Sequence, residues 1–432
     1  MSSEIKLGIL GLGVVGSGTV ELLRQNADII EQKTGAKIII KKIAVRHIDK
    51  PRSVNVDRSL LTDNSYEILD DPEIDIVCEL IGGIDPAHEL VLRALENKKQ
   101  VVTANKELIA KHGAELMNKA NESKLDFQFE GSVGGGIPII QPMKNALAGN
   151  QVQAVMGIVN GTTNYILSQM ADENKDFNAA LAEAQELGYA EANPTNDIDG
   201  HDAAYKLAIL SSIAFTTPVD EAAIYREGIA KVQLRDIQVA RDLGYVIKLL
   251  AIAKSNGNGS IQARVHPTFL PKHHPLAAIS GVYNAVYIHG DFVGDVMFYG
   301  QGAGSKPTAS AVVGDIMDVA RNLNNGSTGR VPCTCHELHA ITPIEKIVSK
   351  YYFRMIATDR PKMLASIANV FGNCGVSIEA VQHRPISRGR IEMVWITHKT
   401  EESKFTRSVS HISILSVTEK IANWFRVEEE DI

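Results

Sequence analysis

Short, nearly continuous apolar runs alternate with helical periodicity through the first third of the chain. Ile5–Leu10 reads as a buried strand, Val14–Gln25 as a helix and Lys37–Val45 as a second strand. Ile74–Leu80 and Gln100–Thr103 give two more strands, with amphipathic stretches at Pro86–Asn97 and Lys106–Ser123. Strand–helix alternation of this kind predicts βαβ units and a parallel sheet. Strands that lack polar alternation predict that both sheet faces are covered.

From about residue 150 to 301 the pattern becomes α+β, with a mixed sheet expected. Asn178–Leu187 and Asp202–Ile213 read as helices, Arg235–Lys254 as a longer amphipathic helix, and Gln262–Phe269 and Tyr283–His289 as strands. Ala303–Leu323 is a helix rich in small residues, followed by a polar stretch, Asn322–Arg330, with turn signals that mark a linker. The tail then runs strand, helix, strand, strand, helix, strand over Tyr352–Ala357, Met363–Phe371, Val376–His383, Ile391–Thr397, Ser408–Val417 and Asn423–Glu429. That order predicts a ferredoxin-like split βαβ arrangement.

At 432 residues the chain exceeds one compact core, so two or three domains are expected. A formal net charge of −7 argues against a protein that tracks nucleic-acid phosphates. Residues 1–6 carry no basic region ahead of a secretory core, and the apolar stretch Leu7–Val20 is interrupted by glycines and too short to span a bilayer. A cytoplasmic location is expected, with neither membrane nor nucleic acid as a partner. Four cysteines, Cys78, Cys333, Cys335 and Cys374, suit a reducing compartment. Cys333 and Cys335, with His336 and His339, lack standard zinc spacing and read as surface or linker groups.

Gly11-Leu12-Gly13-Val14-Val15-Gly16 follows the first strand and opens the first helix. In this context the glycines give a tight turn, backbone room for a pyrophosphate and close helix–strand packing. Exposed amides and the helix dipole favour the anion. At the tip of the second strand, after Ala44, stand Arg46 and Lys50, two cations suited to a ribose 2′-phosphate, so NADP is expected; Asp49 keeps NAD open. The alternative is that Arg46 and Lys50 are solvated loop charges. Thr103 ends the fourth strand, and Lys106 points into the ligand crevice or stays on the surface.

Glu130 precedes a glycine-rich segment containing Val133, Gly135 and Ile137. Its carbonyls can converge on a hard cation, but by itself the segment reads first as a hinge. The densest polar chemistry runs from Gly188 through Glu191, Asp197 and Asp202 to Lys206. Asp202 and Lys206 lie i, i+4 on one helix face. A buried lysine beside an acid can donate a proton to a carbonyl oxygen that receives a hydride; the alternative is an ordinary capped helix with an Asp–Lys pair.

Taken together, Gly11–Gly16, Thr103–Glu107, Gly131–Pro138, Asn160–Leu167, Gly188–Glu191, Asp202–Leu207 and Gly300–Val312 resemble homoserine dehydrogenases, in family order. The tail resembles an ACT domain. The resemblance implies an α/β Rossmann nucleotide-binding domain (1–148 with 303–325), an α+β catalytic and dimerisation domain (149–302), a linker (326–350) and a ferredoxin-like ACT regulatory domain (351–432). It implies NADPH-dependent reduction of aspartate semialdehyde to homoserine, in threonine, methionine and isoleucine biosynthesis. Lys206 is then the general acid, oriented by Asp202, while Glu191, Asp202 and Asp197 bind the substrate. Gly188 and Gly302 join the nucleotide contacts at Gly11–Gly16, Ala44, Arg46, Lys50, Thr103 and Lys106. Glu130, with the backbone of Val133, Gly135 and Ile137, matches a monovalent-cation site, usually sodium. A homodimer or homotetramer and a threonine effector are also implied.

Two positions depart from the family pattern. Asn193 stands where an aspartate is usual, weakening substrate positioning without removing the proton donor. Lys362 stands where a glycine commonly follows the proline, crowding the effector loop. Rival readings are a dehydrogenase of another small amino acid, such as aspartate, and a non-catalytic NADP- and amino-acid-sensing regulator. A phosphorylating semialdehyde dehydrogenase needs a cysteine nucleophile, which neither Cys78 nor the linker pair supplies.

Overall fold

The computed structural model describes residues 3–332, 335 and 337–429. In chain order the nucleotide-binding part contains β1 (Ser3–Leu10), α1 (Val14–Gln25), α2 (Ala27–Thr34), β2 (Ala36–Ala44), β3 (Leu61–Thr62), α3 (Tyr66–Leu69), β4 (Ile76–Glu79), α4 (Ala87–Glu96), β5 (Gln100–Thr103), α5 (Lys106–Glu122) and β6 (Phe127–Gln128). The middle continues with β7 (Val152–Ile158), α6 (Gly161–Asp172), α7 (Phe177–Glu186), α8 (Thr195–Ile198), α9 (His201–Ala214), β8 (Tyr225–Arg226), α10 (Leu234–Asp242), β9 (Tyr245–Ser255), β10 (Ser260–Pro271), β11 (Tyr283–Gly290), β12 (Gly294–Gln301) and α11 (Ser305–Asn324). The remainder holds β13 (Ala340–Ile341), β14 (Val348–Thr358), α12 (Met363–Asn373), β15 (Ile378–Ser387), β16 (Arg390–Thr397), β17 (Thr400–Glu401), α13 (Glu402–Ser413) and β18 (Thr418–Val427).

The chain divides into two compact units. One comprises residues 1–161, 203–223 and 283–339, and the other 162–202, 224–282 and 340–432.

In the first unit six parallel strands run in the order β3-β2-β1-β4-β5-β6. This is the doubly wound order of dinucleotide-binding sheets, with its reversal between β1 and β4. Leu10 is level with Ala44 and Glu79, and Glu79 with Thr103. The carboxyl ends of four strands therefore meet at one edge. Helix α11 returns from far along the chain to pack Val312, Ile316, Val319 and Ala320 with Val20, Leu23, Ile9 and Ile43. Gly18 makes the approach possible, since a Cβ there would lie 2.7 Å from the Ser305 carbonyl oxygen. Strands β7, β11 and β12 form an antiparallel ribbon in the same unit.

The second unit carries the strand path β9-β10-β18-β14-β16-β15. Arg235–Lys254 is not one helix: α10 stops before Gly244, whose φ of 84° turns the chain into β9. The tail has the predicted order of elements, and its strands lie as β18-β14-β16-β15, the ferredoxin-like arrangement. It is not a detached module, because β18 pairs with β10 through Thr268–Arg426 and Phe269–Val427. The expected linker is likewise tied down. Asn322 and the Gly329 amide both donate to the Asp126 carboxylate, while β13 pairs with β10. Among the described residues no helix is long and apolar enough to cross a membrane.

Candidate active site

The glycine loop occupies the edge where the strand ends meet, and its glycines divide the work. Gly11 adopts φ 101°, and a Cβ on it would lie 2.7 Å from the Leu80 carbonyl oxygen. A Cβ on Gly16 would collide with the Gly11 carbonyl at 2.3 Å, whereas one on Gly13 would meet nothing within 4 Å. Tight turning and close packing thus fall to Gly11 and Gly16, and the open backbone at Gly13 is free for a pyrophosphate.

This edge borders a cleft of about 780 Å³ lined by Gly11, Leu12, Gly13, Val14, Ala44, Arg46 and Lys50, among others. Seven of the expected nucleotide contacts are therefore brought together. Val15 and Gly16 lie outside the lining, in the helix packing beneath. Arg46 and Lys50 are exposed cations on the cleft wall. Asp49, the residue that kept NAD open, instead pairs with Arg58 at 2.6 Å and does not line the cleft.

A second pocket, of about 230 Å³, is lined by Lys106, Lys206, Gly135, Gly302 and neighbouring loop residues. Lys106 is the first residue of α5, whose amino end Asn105 caps by accepting from the Leu108 amide. Lys206 is 8 % exposed and donates to the Val159 carbonyl oxygen at 2.7 Å. Gly135 and Gly302 meet backbone to backbone: a Cβ on Gly135 would lie 2.5 Å from the Gly302 carbonyl oxygen, and the Gly136 amide bonds to Gln301.

Glu130 is buried, and its carboxylate accepts from the amides of Ile139 (2.5 Å), Ile140 (2.8 Å) and Gln141 (2.7 Å). Burial raises its pKa, and these three bonds oppose that rise. A carboxylate offers about four lone-pair directions, so one stays open. No backbone amide among the described residues donates to the carbonyl oxygens of Val133, Gly135 or Ile137, all in buried residues. A buried carboxylate beside this glycine-rich backbone is oxygen chemistry of the kind that suits a hard cation.

In the second unit, Gly188 closes α7 with φ 74°, and the loop after it is tied back where Gln185 donates to the carbonyls of Glu191 and Ala192. Glu191 is exposed there, Asp197 lies in α8, and Asp202 is buried in the first turn of α9, one turn ahead of Lys206.

Comparison with known proteins resolves what this arrangement is. A family model described as "Homoserine dehydrogenase, NAD binding domain" matches residues 11–130, and one described as "Homoserine dehydrogenase" matches residues 138–317. The homoserine dehydrogenase of Synechocystis sp. is 44 % identical over 98 % of this chain and 99 % of its own. The crystal structure of the homoserine dehydrogenase from Thiobacillus denitrificans superposes with a TM-score of 0.93 at 42 % identity, covering 99 % of both chains. The chain belongs to the homoserine dehydrogenase family. A hyperthermophilic archaeal homoserine dehydrogenase mutant solved in complex with NADPH is more distant, at 28 % identity and a TM-score of 0.61 over 73 % of this chain and 97 % of its own.

As a homoserine dehydrogenase the protein is a nicotinamide-dependent oxidoreductase that interconverts aspartate semialdehyde and homoserine, a CH–OH group being the one oxidised. Some parts of the site escape local sequence reading. Glu79 is fully buried and accepts from Thr103 Oγ1 (2.6 Å) and from the amides of Ile81 and Gly82, which shapes the loop at the pocket mouth. Burial raises its pKa. Thr103 is therefore a support beneath the site and lines neither pocket. Arg52 donates to the carbonyls of His47, Ile48 and Lys50 and holds the loop that carries Arg46 and Lys50. Its cationic neighbours were the available signal. Asn284 crowds Gly302 so closely that only glycine fits there.

The cysteine readings also gain detail. Burial raises the Cys78 thiol pKa well above its usual value, which suits a core residue and not a nucleophile. Cys335 donates to the Ser212 carbonyl, and His339 pairs with Glu337. Cys333 and His336 lie outside the described residues. Asn193 accepts from the Thr195 amide and hydroxyl, a turn role that the usual aspartate would also fill. Lys362 takes φ 70°, the left-handed conformation that glycine adopts without strain.

Proposed function

We propose that the enzyme prefers NADPH and that Lys206 protonates the carbonyl oxygen of aspartate semialdehyde as hydride arrives at the adjacent carbon. The observation carrying this reading is the buried Lys206 ammonium, directed by the Val159 carbonyl, in one pocket with Lys106 and the Gly135–Gly302 backbone. A bound nicotinamide supplies the hydride. The chain's own residues bind the phosphates at the Gly13 opening, hold a 2′-phosphate with Arg46 and Lys50, and keep a proton at Lys206 Nζ. Asp202 orients Lys206, and Glu191 and Asp197 hold the charged end of the substrate; Gly188 contributes to the nucleotide contacts. The archaeal relative solved with NADPH, and the diversion of Asp49 onto Arg58, both favour NADPH.

Sodium at Glu130, Val133, Gly135 and Ile137 would neutralise one carboxylate and fix the glycine-rich backbone against Gly302. The ferredoxin-like tail is read as an ACT domain with threonine as its effector, and the assembly as a homodimer or homotetramer. The test follows NADPH absorbance with aspartate semialdehyde for wild type and Lys206→Ala, with and without threonine. Rapid oxidation by wild type, lost in the variant while NADPH still binds, supports the mechanism. Full activity in the variant overturns it, and indifference of rate and of binding to threonine overturns the effector.

A further inference from the structure

Away from both pockets, α4 and α5 bring together three side chains that none of the roles above uses. His88 Nε2 lies 3.0 Å from Glu115 Oε2, and His112 Nδ1 lies 3.6 Å from the same oxygen. The two imidazole rings are 4.1 Å apart at 30°, and the three ligand atoms all fall within 4.8 Å of one another. Among the described residues this is the one trio of histidine, cysteine or carboxylate groups that converges in this way.

The spacing suits a metal's ligands as well as the hydrogen bond between His88 and Glu115. Bonds of about 2.0–2.1 Å to nitrogen or oxygen at tetrahedral angles separate ligand atoms by roughly 3.3 Å. The observed 3.0 and 3.6 Å bracket that value. Two neutral imidazoles and one carboxylate carry one negative charge, and a nitrogen-rich set of this kind selects zinc, cobalt, nickel or copper over sodium or magnesium. His88, His112 and Glu115 are 24 %, 32 % and 54 % exposed, so the trio lies where an ion from solution can reach it. The oxygen-only set at Glu130 would not compete for such an ion.

We propose that His88, His112 and Glu115 form a binding site for a divalent transition-metal ion, zinc being the best match. The ion clamps the first turn of α4 to α5. His88 stands two residues beyond Pro86, which lines the dinucleotide cleft, so occupancy stiffens the segment bordering the cofactor.

The experiment is equilibrium dialysis of the metal-stripped full chain against Zn2+ at pH 7.5, with metal quantified in the protein chamber. Wild type is expected to hold one equivalent at this site with micromolar affinity. His112→Gln and Glu115→Gln should each weaken that equivalent at least tenfold, with unchanged circular dichroism and melting temperature in chelator. Cys335→Ser should leave it in place. Absence of zinc from the wild type, wild-type binding by both variants, or loss in Cys335→Ser would each overturn the proposal. Cobalt in place of zinc gives a second readout: tetrahedral d–d bands without thiolate charge transfer support the site, and thiolate bands refute it.

Discussion

Lys206 points its ammonium at the Val159 carbonyl oxygen, 2.7 Å away, at the end of β7. A carbonyl at that distance fixes the direction of the donor without removing its proton, which a general acid requires. Replacing Lys206 with arginine keeps the charge but widens the head group and holds its proton too tightly. We expect kcat to fall by about 10²–10⁴-fold, the usual worth of general acid–base catalysis, in both Lys206→Arg and Lys206→Ala. NADPH affinity, measured by fluorescence titration, should stay within a factor of about three. A parallel loss of cofactor binding would show that Lys206 acts through the nucleotide.

Arg46 and Lys50 stand on the wall of the larger cleft, on a loop stapled by Arg52. A charge-assisted hydrogen bond contributes about 1.5–3 kcal/mol. Arg46→Ala should therefore weaken NADPH by about tenfold to a hundredfold and leave NADH almost unaltered. Arg52→Ala should weaken NADPH less, by loosening the loop. Initial rates across both cofactors decide this, and equal losses for NADPH and NADH would refute a 2′-phosphate contact.

Why some of this was legible and some was not follows from range. The glycine loop could be read because each glycine's task is set by residues within the same strand–turn–helix. The tail's order could be read because its pattern is local. Its attachment could not, since Thr268 pairs with Arg426 and no local period reports that partner. Arg235–Lys254 misled because β9 is apolar at nearly every position and so mimics a continuing helix, while the decisive signal was the single Gly244. Glu79 was hidden because its importance depends on Thr103, on the neighbouring strand. Lys206 and the Gly135–Gly302 contact meet only after the chain has folded.

Glu130 holds three amides at the start of the segment after the glycine-rich turn. Glu130→Ala would leave those buried donors unpaired, each at about 1–3 kcal/mol. The variant should melt several degrees lower by calorimetry. Glu130→Gln retains an acceptor oxygen and should recover part of the loss. If sodium sits there, replacing NaCl with choline chloride should lower wild-type activity and leave Glu130→Gln indifferent. An unchanged wild type would place no activating cation at this carboxylate.

Lys248 is buried in β9, donating to Asn164 Oδ1 (3.1 Å) and to the Ile279 carbonyl (2.5 Å). Burial lowers its pKa from the ordinary 10.5 to about 8, with Asp172 opposing the drop. Below pH 8 both folded and unfolded chains hold the proton, and the contribution is flat. Between about 8 and 10.5 the unfolded chain binds a proton that the folded chain has released, so stability rises with pH. The slope approaches about 1.4 kcal/mol per pH unit. Subtracting the Lys248→Met stability from wild type at pH 7.5 and 9.5 isolates this group. The difference should shift in favour of wild type at the higher pH, and a constant difference would mean that Lys248 titrates normally.

Asp236 is completely buried where α10 meets the tail. Its Oδ1 accepts from Arg354 Nε (2.7 Å) and the Tyr352 hydroxyl (3.1 Å), and its Oδ2 from Asn423 (2.9 Å) and the Gln233 amide (3.2 Å). Removing one member of a buried ion pair costs up to about 3–5 kcal/mol, less here because Arg354 also reaches Glu392 at 3.4 Å, whereas replacing both with apolar groups is often neutral. Asp236→Ala should therefore lower the melting temperature markedly and expose the tail to limited proteolysis. Asp236→Leu combined with Arg354→Met should recover much of the stability. The same neighbourhood carries the β18–β10 pairing, so the double variant should also restore resistance of the tail to limited proteolysis. If the double variant is no more stable than Asp236→Ala, the hydrogen bonds from Tyr352, Asn423 and Gln233, and not the loss of one partner of Arg354, account for the joint's strength.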